Sequence, residues 1–257
     1  MYKFIDMDGY QDNQKGFTLF FDNQDIKEII PDMTIIDVVG RDKIEKELYT
    51  YDSIKGRNGS IFTGYNYKHR SIKVIANIDF KDTADFRYLI EKLKIFLSRE
   101  YLKPLVFSDE EDLIFDVVYN NLRVSEEYQN SFEVEIEFYS PSSFKRTKPV
   151  ELKFSNNKGI VQDDSLEYRI YEIKGTINAD VVEIINISKG VRLKLKDLNS
   201  TGSLVITRDE ITINGANSIV KIDESKSIWK TFPLKRKDTI QIKGLSNVTF
   251  KIEGLRL

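Results

Sequence analysis

The sequence predicts two folded units of different class: an α+β N-terminal domain of antiparallel strands with one amphipathic helix, then an all-β C-terminal sandwich of jelly-roll type. Three observations lead there. Only one segment of the 257 residues carries a helical period. Beyond residue 150, short apolar runs recur about every ten residues, a strand-and-turn rhythm. Between the two patterns lies SPSSFKRTKP, residues 140–149, with two prolines, three serines and few groups able to fill a core. The domains are therefore placed at 1–142 and 150–257.

In chain order, Gly56-Arg57-Asn58-Gly59 reads as a tight turn, with Asn58-Gly59 at the centre of a hairpin joining residues 53–55 to Ile61-Phe62. Ile72, Val74 and Ala76 alternate with Lys73 and Ile75 as in a strand. Asp82 and Thr83 are N-cap candidates for a helix in which Phe86, Leu89, Ile90, Leu93, Phe96 and Leu97 recur at three- and four-residue spacing. Asp85, Arg87, Glu91, Lys92 and Lys94 fall largely on its other face, and Pro104 marks its end. A short apolar run at residues 113–118 is bounded by acidic residues and by Asn120-Asn121. Phe132, Val134, Ile136 and Phe138 alternate with Glu133, Glu135 and Glu137, which predicts one buried face and one acidic, hydrated face. In the second half, strands are expected at 166–173, 179–187, 191–195, 203–207, 211–213, 219–222, 239–242 and 248–252. Asn214-Gly215 forms a hairpin tip there, because both residues tolerate positive φ.

Composition removes many functions. Lys and Arg number 39 and Asp and Glu 41, a net charge of -2, so no global field draws the chain to nucleic acid or anionic membranes. Cysteine is absent and His69 is the only histidine, which excludes disulfides, thiolate chemistry and multi-histidine metal sites. His69 stands between Lys68 and Arg70, with no carboxylate beside it to orient it, and reads as a surface residue at a strand entry. No Walker or GxGxxG pattern occurs. The DMDGYQD opening places Gly9 too early for a calcium loop and Tyr10 where an oxygen ligand is needed. The SDEED run at 108–112 and the basic runs at 145–148 and 235–237 read as solvated loops and linker. Trp229 reads as sandwich core or rim, with a sugar-stacking platform as its alternative. Charges at Lys3, Asp6, Asp8 and Asp12 argue against a secretory signal, and no run of about 18 apolar residues occurs. No catalytic, cofactor-binding or metal-binding residue is expected.

Several segments fall in one order: GFTLFF as a short hairpin, GRNGSIFTGYNYKHRSIKVIANI, the helix, FEVEIEFYSPSSF, and a closing WKTFPLKRKDTIQIKGLSNVTFKIEGLRL. This order resembles the distal tail protein (Dit) family of long-tailed siphophages. One mark is a Gly-x-Asp/Asn-Gly turn before an arginine-bearing strand, matched by Gly56, Arg57, Asn58, Gly59 and Arg70-Ser71-Ile72. Another is a late stretch matched by Phe232, Pro233, Leu234, Ile240, Ile242 and Gly244, in which Lys237, Asp238 and Thr239 replace the usual Pro-Gly turn and Asn.

The resemblance implies a structural protein. Family members form a hexameric ring from their N-terminal domains at the distal end of the tail tube, and galectin-like C-terminal domains project outward. Implied partners are further copies of the chain in single or stacked rings, the tail tube protein, a tail-associated lysin or fibre protein and receptor-binding proteins. Nucleic acid, membrane and cofactors are not among them. Its place would be the virion's tail tip or baseplate, after synthesis in the host cytoplasm. A closed ring needs two different complementary faces per subunit. The acidic strand with Glu133, Glu135 and Glu137 and the basic strip with Lys68, Arg70 and Lys73 are the expected pair. The alternatives are a carbohydrate-binding module recognising host-surface glycan and a carboxylate-dependent hydrolase of cell-wall polymer.

Overall fold

The computed structural model describes residues 16–51, 58–127, 130–154, 158–161, 165–198, 201–223, 227–228 and 232–257. The chain divides into two compact units, residues 1–145 with Leu257 and residues 146–256. Each has its own core.

The first unit begins with β1 (Leu19–Phe21) and β2 (Gln24–Asp25), joined by Asp22 and Asn23 at φ 55° and 64°, the two left-handed positions a tight hairpin requires. A single helical turn, α1 (Ile26–Ile29), follows, capped by the Asp25 carboxylate, which accepts from the Lys27 amide at 2.9 Å. Then come β3 (Met33–Val39), β4 (Lys46–Tyr51), β5 (Ile61–Tyr67), β6 (Arg70–Asp79), α2 (Thr83–Leu97), β7 (Lys103–Phe107), β8 (Leu113–Glu127) and β9 (Ser131–Ser140). The main sheet runs β3-β6-β9-β8-β7-β1-β2, antiparallel throughout. β8 is 15 residues long. Its first part pairs with β7 and its second with β9, so one strand carries the sheet around a bend marked by a register shift between Tyr119 and Asn121.

Helix α2 starts where the sequence places it: the Asp82 side chain accepts from the Ala84 and Asp85 amides at 2.9 Å. Its stripe of Ile90, Leu93, Phe96 and Leu97 is buried in one cluster with Ile72, Val74 and Ala76 of β6 and Val134, Ile136 and Phe138 of β9. Its end differs from expectation. The helix stops at Leu97, where Arg99 donates to the exposed carbonyls of Ile95 and Ser98, and Pro104 lies inside β7. β4 and β5 form a separate two-stranded sheet. Tyr51 pairs with Ile61, so the connection spans residues 52–60 and Asn58-Gly59 sits near its β5 end, away from the centre. Residues 53–55 and Gly56-Arg57 lie outside the described residues.

β10 (Lys145–Thr147) straddles the division between units. The second unit contains β11 (Val150–Phe154), β12 (Lys158–Ile160), β13 (Glu167–Ile177), β14 (Val182–Asn186), β15 (Val191–Leu195), β16 (Gly202–Thr207), β17 (Ile211–Ile213), β18 (Ala216–Asn217), β19 (Leu234–Lys235), β20 (Thr239–Lys243) and β21 (Leu245–Arg256). One of its sheets runs β18-β17-β16-β13-β21-β11, and β19 also pairs with β13. The other runs β12-β20-β14-β15. Ile173, Leu204, Ile206, Phe250 and Ile252 of the first share a single buried cluster with Ile184, Leu193, Leu195, Ile240 and Ile242 of the second. Asn214 and Gly215, at φ 51° and 79°, make the two-residue turn between β17 and β18. The strand expected at 219–222 is a 3-10 turn at Ile219–Lys221 instead. The Asn217 side chain accepts from the Ile219 amide at 3.1 Å and starts a turn, and Val220 is 83% exposed, so that only Ile222 of the apolar run enters the core.

Candidate interaction surface

The expected interface residues lie on two adjacent strands of the first unit. β6 and β9 are hydrogen-bonded partners, with Lys73 opposite Glu137, Ile75 opposite Glu135 and Asn77 opposite Glu133. Lys73 Nζ reaches Glu135 Oε1 at 2.8 Å, and Ser71 Oγ donates to Glu137 Oε1 at 2.8 Å. β9 is flanked on both sides, so all three glutamates are half-buried and not the hydrated face that alternation suggested. The two charged strips are thus neighbours in one sheet, joined by the Lys73–Glu135 ion pair.

Arg70 departs further. Its side chain points into the core side of β6, 3% exposed, donating to the Arg41 carbonyl and, at 2.5 Å, to the Ser143 carbonyl. Burial pushes its pKa down, and nearby Asp42 and Glu110 oppose that shift. Lys68 is exposed, and its carbonyl accepts from Ser143 Oγ. His69 is exposed, its ring 5.0 Å from that of Tyr139.

Around Arg70 the structure assembles an ion cluster that local sequence reading missed. Lys145 is buried, its Nζ 2.7 Å from Asp42 Oδ1 and 3.1 Å from Glu110 Oε2. Arg41 Nη1 contacts both Asp109 oxygens at 2.8 Å. The Phe115 ring lies 5.4 Å from both the Arg70 guanidinium and the Lys145 ammonium. So Asp109 and Glu110 of the SDEED run, and Lys145 of the KRTK run, are partners of other chain segments, not solvated loop and linker. Sequence offers little signal for this, since Lys145 meets partners 35 and 103 residues away. In the second unit, Glu253 is fully buried and accepts from Arg146 Nη1 and Tyr171 Oη, each at 2.9 Å. Among the described residues no cluster of three or more acidic or histidine side chains could hold a metal ion, and no helix is long and apolar enough to cross a membrane.

The closing motif is built around a turn. Phe232 and Leu234 are core residues, and Lys237 takes φ 65° between β19 and β20, the left-handed conformation a glycine would otherwise supply. Asp238 is buried, accepting from the Lys235 amide at 2.8 Å and from Asn186 Nδ2 at 2.7 Å. Pro233 presents its carbonyl to the same Asn186 amide at 2.9 Å. Ile240 and Ile242 face the core. Gly244 has φ 73°, and a Cβ there would collide with the Val181 carbonyl. Trp229 lies outside the described residues. A cleft of about 410 Å³ nearby is lined by Tyr168, Ile170, Ile206, Phe232 and Leu234 together with charged Arg169 and Arg208.

The span from β2 to the end of β9, residues 24–140, matches the family model described as the phage tail protein RIFT-related domain. This segment is similar to a phage tail protein domain. The tail-protein domain thus comprises the main sheet apart from β1, together with α2 and the β4–β5 hairpin. Over nearly the whole chain the fold is that of SPP1 Dit (gp 19.1), described as a paradigm of hub adsorption apparatus in Gram-positive-infecting phages. The likeness has a TM-score of 0.77 at 22% identity and covers 94% of this chain and 99% of that chain. Two structures of the phage P2 baseplate in its activated conformation, with Ca and with Sr, match at TM-scores of 0.48 and 0.47. Identity is 12% in both, over 93% and 92% of this chain and 97% of each of theirs. No curated protein sequence matches.

Proposed function

We propose that this chain is a structural hub protein at the distal end of a siphophage tail. Copies close into a hexameric ring through the tail-protein domain, and the ring joins the tail tube to the baseplate or tail-tip proteins, receptor-binding or tail-lysin subunits among them. The second unit, read as a galectin-like sandwich, offers a protein-binding platform. The observation that carries this reading is the tail-protein domain at residues 24–140, supported by the end-to-end likeness of fold to SPP1 Dit. Heterologous contacts that close by rotation give such a ring its symmetry. The work is assembly and not catalysis. Mass photometry and negative-stain imaging of the purified chain test it: ring-shaped hexamers are expected, and a monodisperse monomer retained on a glycan array would overturn it.

A further inference from the structure

Most strands of the tail-protein domain bury one face, but the β4–β5 hairpin does not. Every residue of β4 is exposed, and in β5 no residue is fully buried. An isolated hairpin is marginal in water without something to pack on. This one nonetheless carries large apolar side chains. Leu48 and Phe62 are 62% and 59% exposed, and Tyr49, Tyr51 and Tyr65 are exposed as well. Register sets Lys46 opposite Tyr67 and Leu48 opposite Tyr65, so these four share a face. Phe62 and Tyr65 are stacked with centroids 6.5 Å apart, Tyr65 and Tyr67 meet edge to face at 5.4 Å, and Lys46 Nζ lies 4.2 Å over the Tyr65 ring. At its root the aromatic row continues through Tyr67 to Phe144 at 5.3 Å. Six residues of strand make an arm about 20 Å long. Aromatic side chains are enriched in protein interfaces.

A second exposed apolar stripe lies on the same domain. On the outer face of α2, Tyr88 and Ile95 are seven residues apart, with Lys92 between them, its Nζ 4.7 Å from the Tyr88 ring. Ile95 is 72% exposed in the last turn of the helix, whose packing is made by the opposite face. Arg87 and Glu91 line a shallow depression beside Tyr88. The two surfaces differ in form, one a projecting arm and the other a grooved helix face. The arm's aromatic face carries Lys46 and the helix face carries Glu91, opposite charges on two different surfaces. A heterologous, ring-closing contact needs two different, complementary faces of this kind.

We propose that the β4–β5 hairpin is a subunit-linking arm whose Leu48, Phe62 and Tyr65 face packs on the outer face of α2 in the next copy of this chain. The proposal rests on the hub reading. A photo-crosslinking amino acid at position 62, followed by mass spectrometric mapping, tests it, together with the assembly of a Leu48→Ser, Phe62→Ser double variant checked for folding by circular dichroism. Cross-links to residues 84–95 of a second copy are expected, with the concentration for half-assembly of the variant raised about tenfold or more. Wild-type rings with cross-links elsewhere, or variant rings as stable as wild type, would overturn the arm and leave the hub standing. A wild-type chain that stays monomeric would remove both.

Discussion

Lys145 shows how much one side chain can depend on distant segments. Removing its ammonium leaves Asp42 and Glu110 with the more distant Arg41, 3.8 and 4.0 Å away, and both are partly solvated, so the cost falls below that of a fully buried pair. Lys145→Met is expected to lose about 1–2 kcal/mol in denaturant unfolding. The Lys145 hydrogen bond holds the Asp42 carboxyl below its ordinary pKa. A carboxylate depressed in the folded state stabilises above its unfolded pKa of about 3.9 and loses that contribution as pH falls through the folded value. Unfolding midpoints measured between pH 7 and pH 2 are therefore expected to fall less steeply for Lys145→Met than for wild type. Lys237 makes the opposite case. A lysine held at φ 65° carries a conformational cost that glycine avoids, so Lys237→Gly is expected to hold or raise stability by about 0.5 kcal/mol in thermal unfolding. A loss above about 1 kcal/mol would mean that the lysine side chain itself supports the turn.

At the scale of elements, what sequence shows depends on whether the cause is local. The α2 stripe, its Asp82 cap and the Asn214-Gly215 turn are legible because each follows from residues within one or two turns of chain. Asp82→Ala is expected to cost about 1 kcal/mol and Leu93→Ala about 2–5 kcal/mol, read from denaturant midpoints at unchanged slope. β11, β12 and β19 are less legible, since these short strands exist through partners far along the chain, as when Val150 pairs with Ile252. The apolar run at 219–222 misled for the converse reason, because a local turn, closed by the Asn217 side chain on the Ile219 amide, outweighed β propensity. The charged strands β6 and β9 were each legible, but not their adjacency. Once adjacent, Lys73 and Glu135 pair within the chain, whereas Leu48 and Phe62 of the arm stay more than half exposed.

At the scale of the molecule, each unit owns a buried cluster, and neither cluster includes a residue of the other unit. Chains of residues 1–145 and 146–257 are expected to unfold cooperatively on their own. Loss of near-ultraviolet dichroism in either fragment would show that its core depends on its partner. The last strand, β21, is not at the margin of its sheet. It lies between β13 and β11, with Leu255 paired to Glu167 and Phe250 to Ile173. During synthesis, then, the second unit cannot complete its central ladder until residues through Arg256 have left the ribosome, because β13 and β11 both wait for β21. A chain lacking residues 248–257 would therefore have an open sheet, with Ile170 and Ile173 deprived of their partners Ile252 and Phe250 on that side of β13.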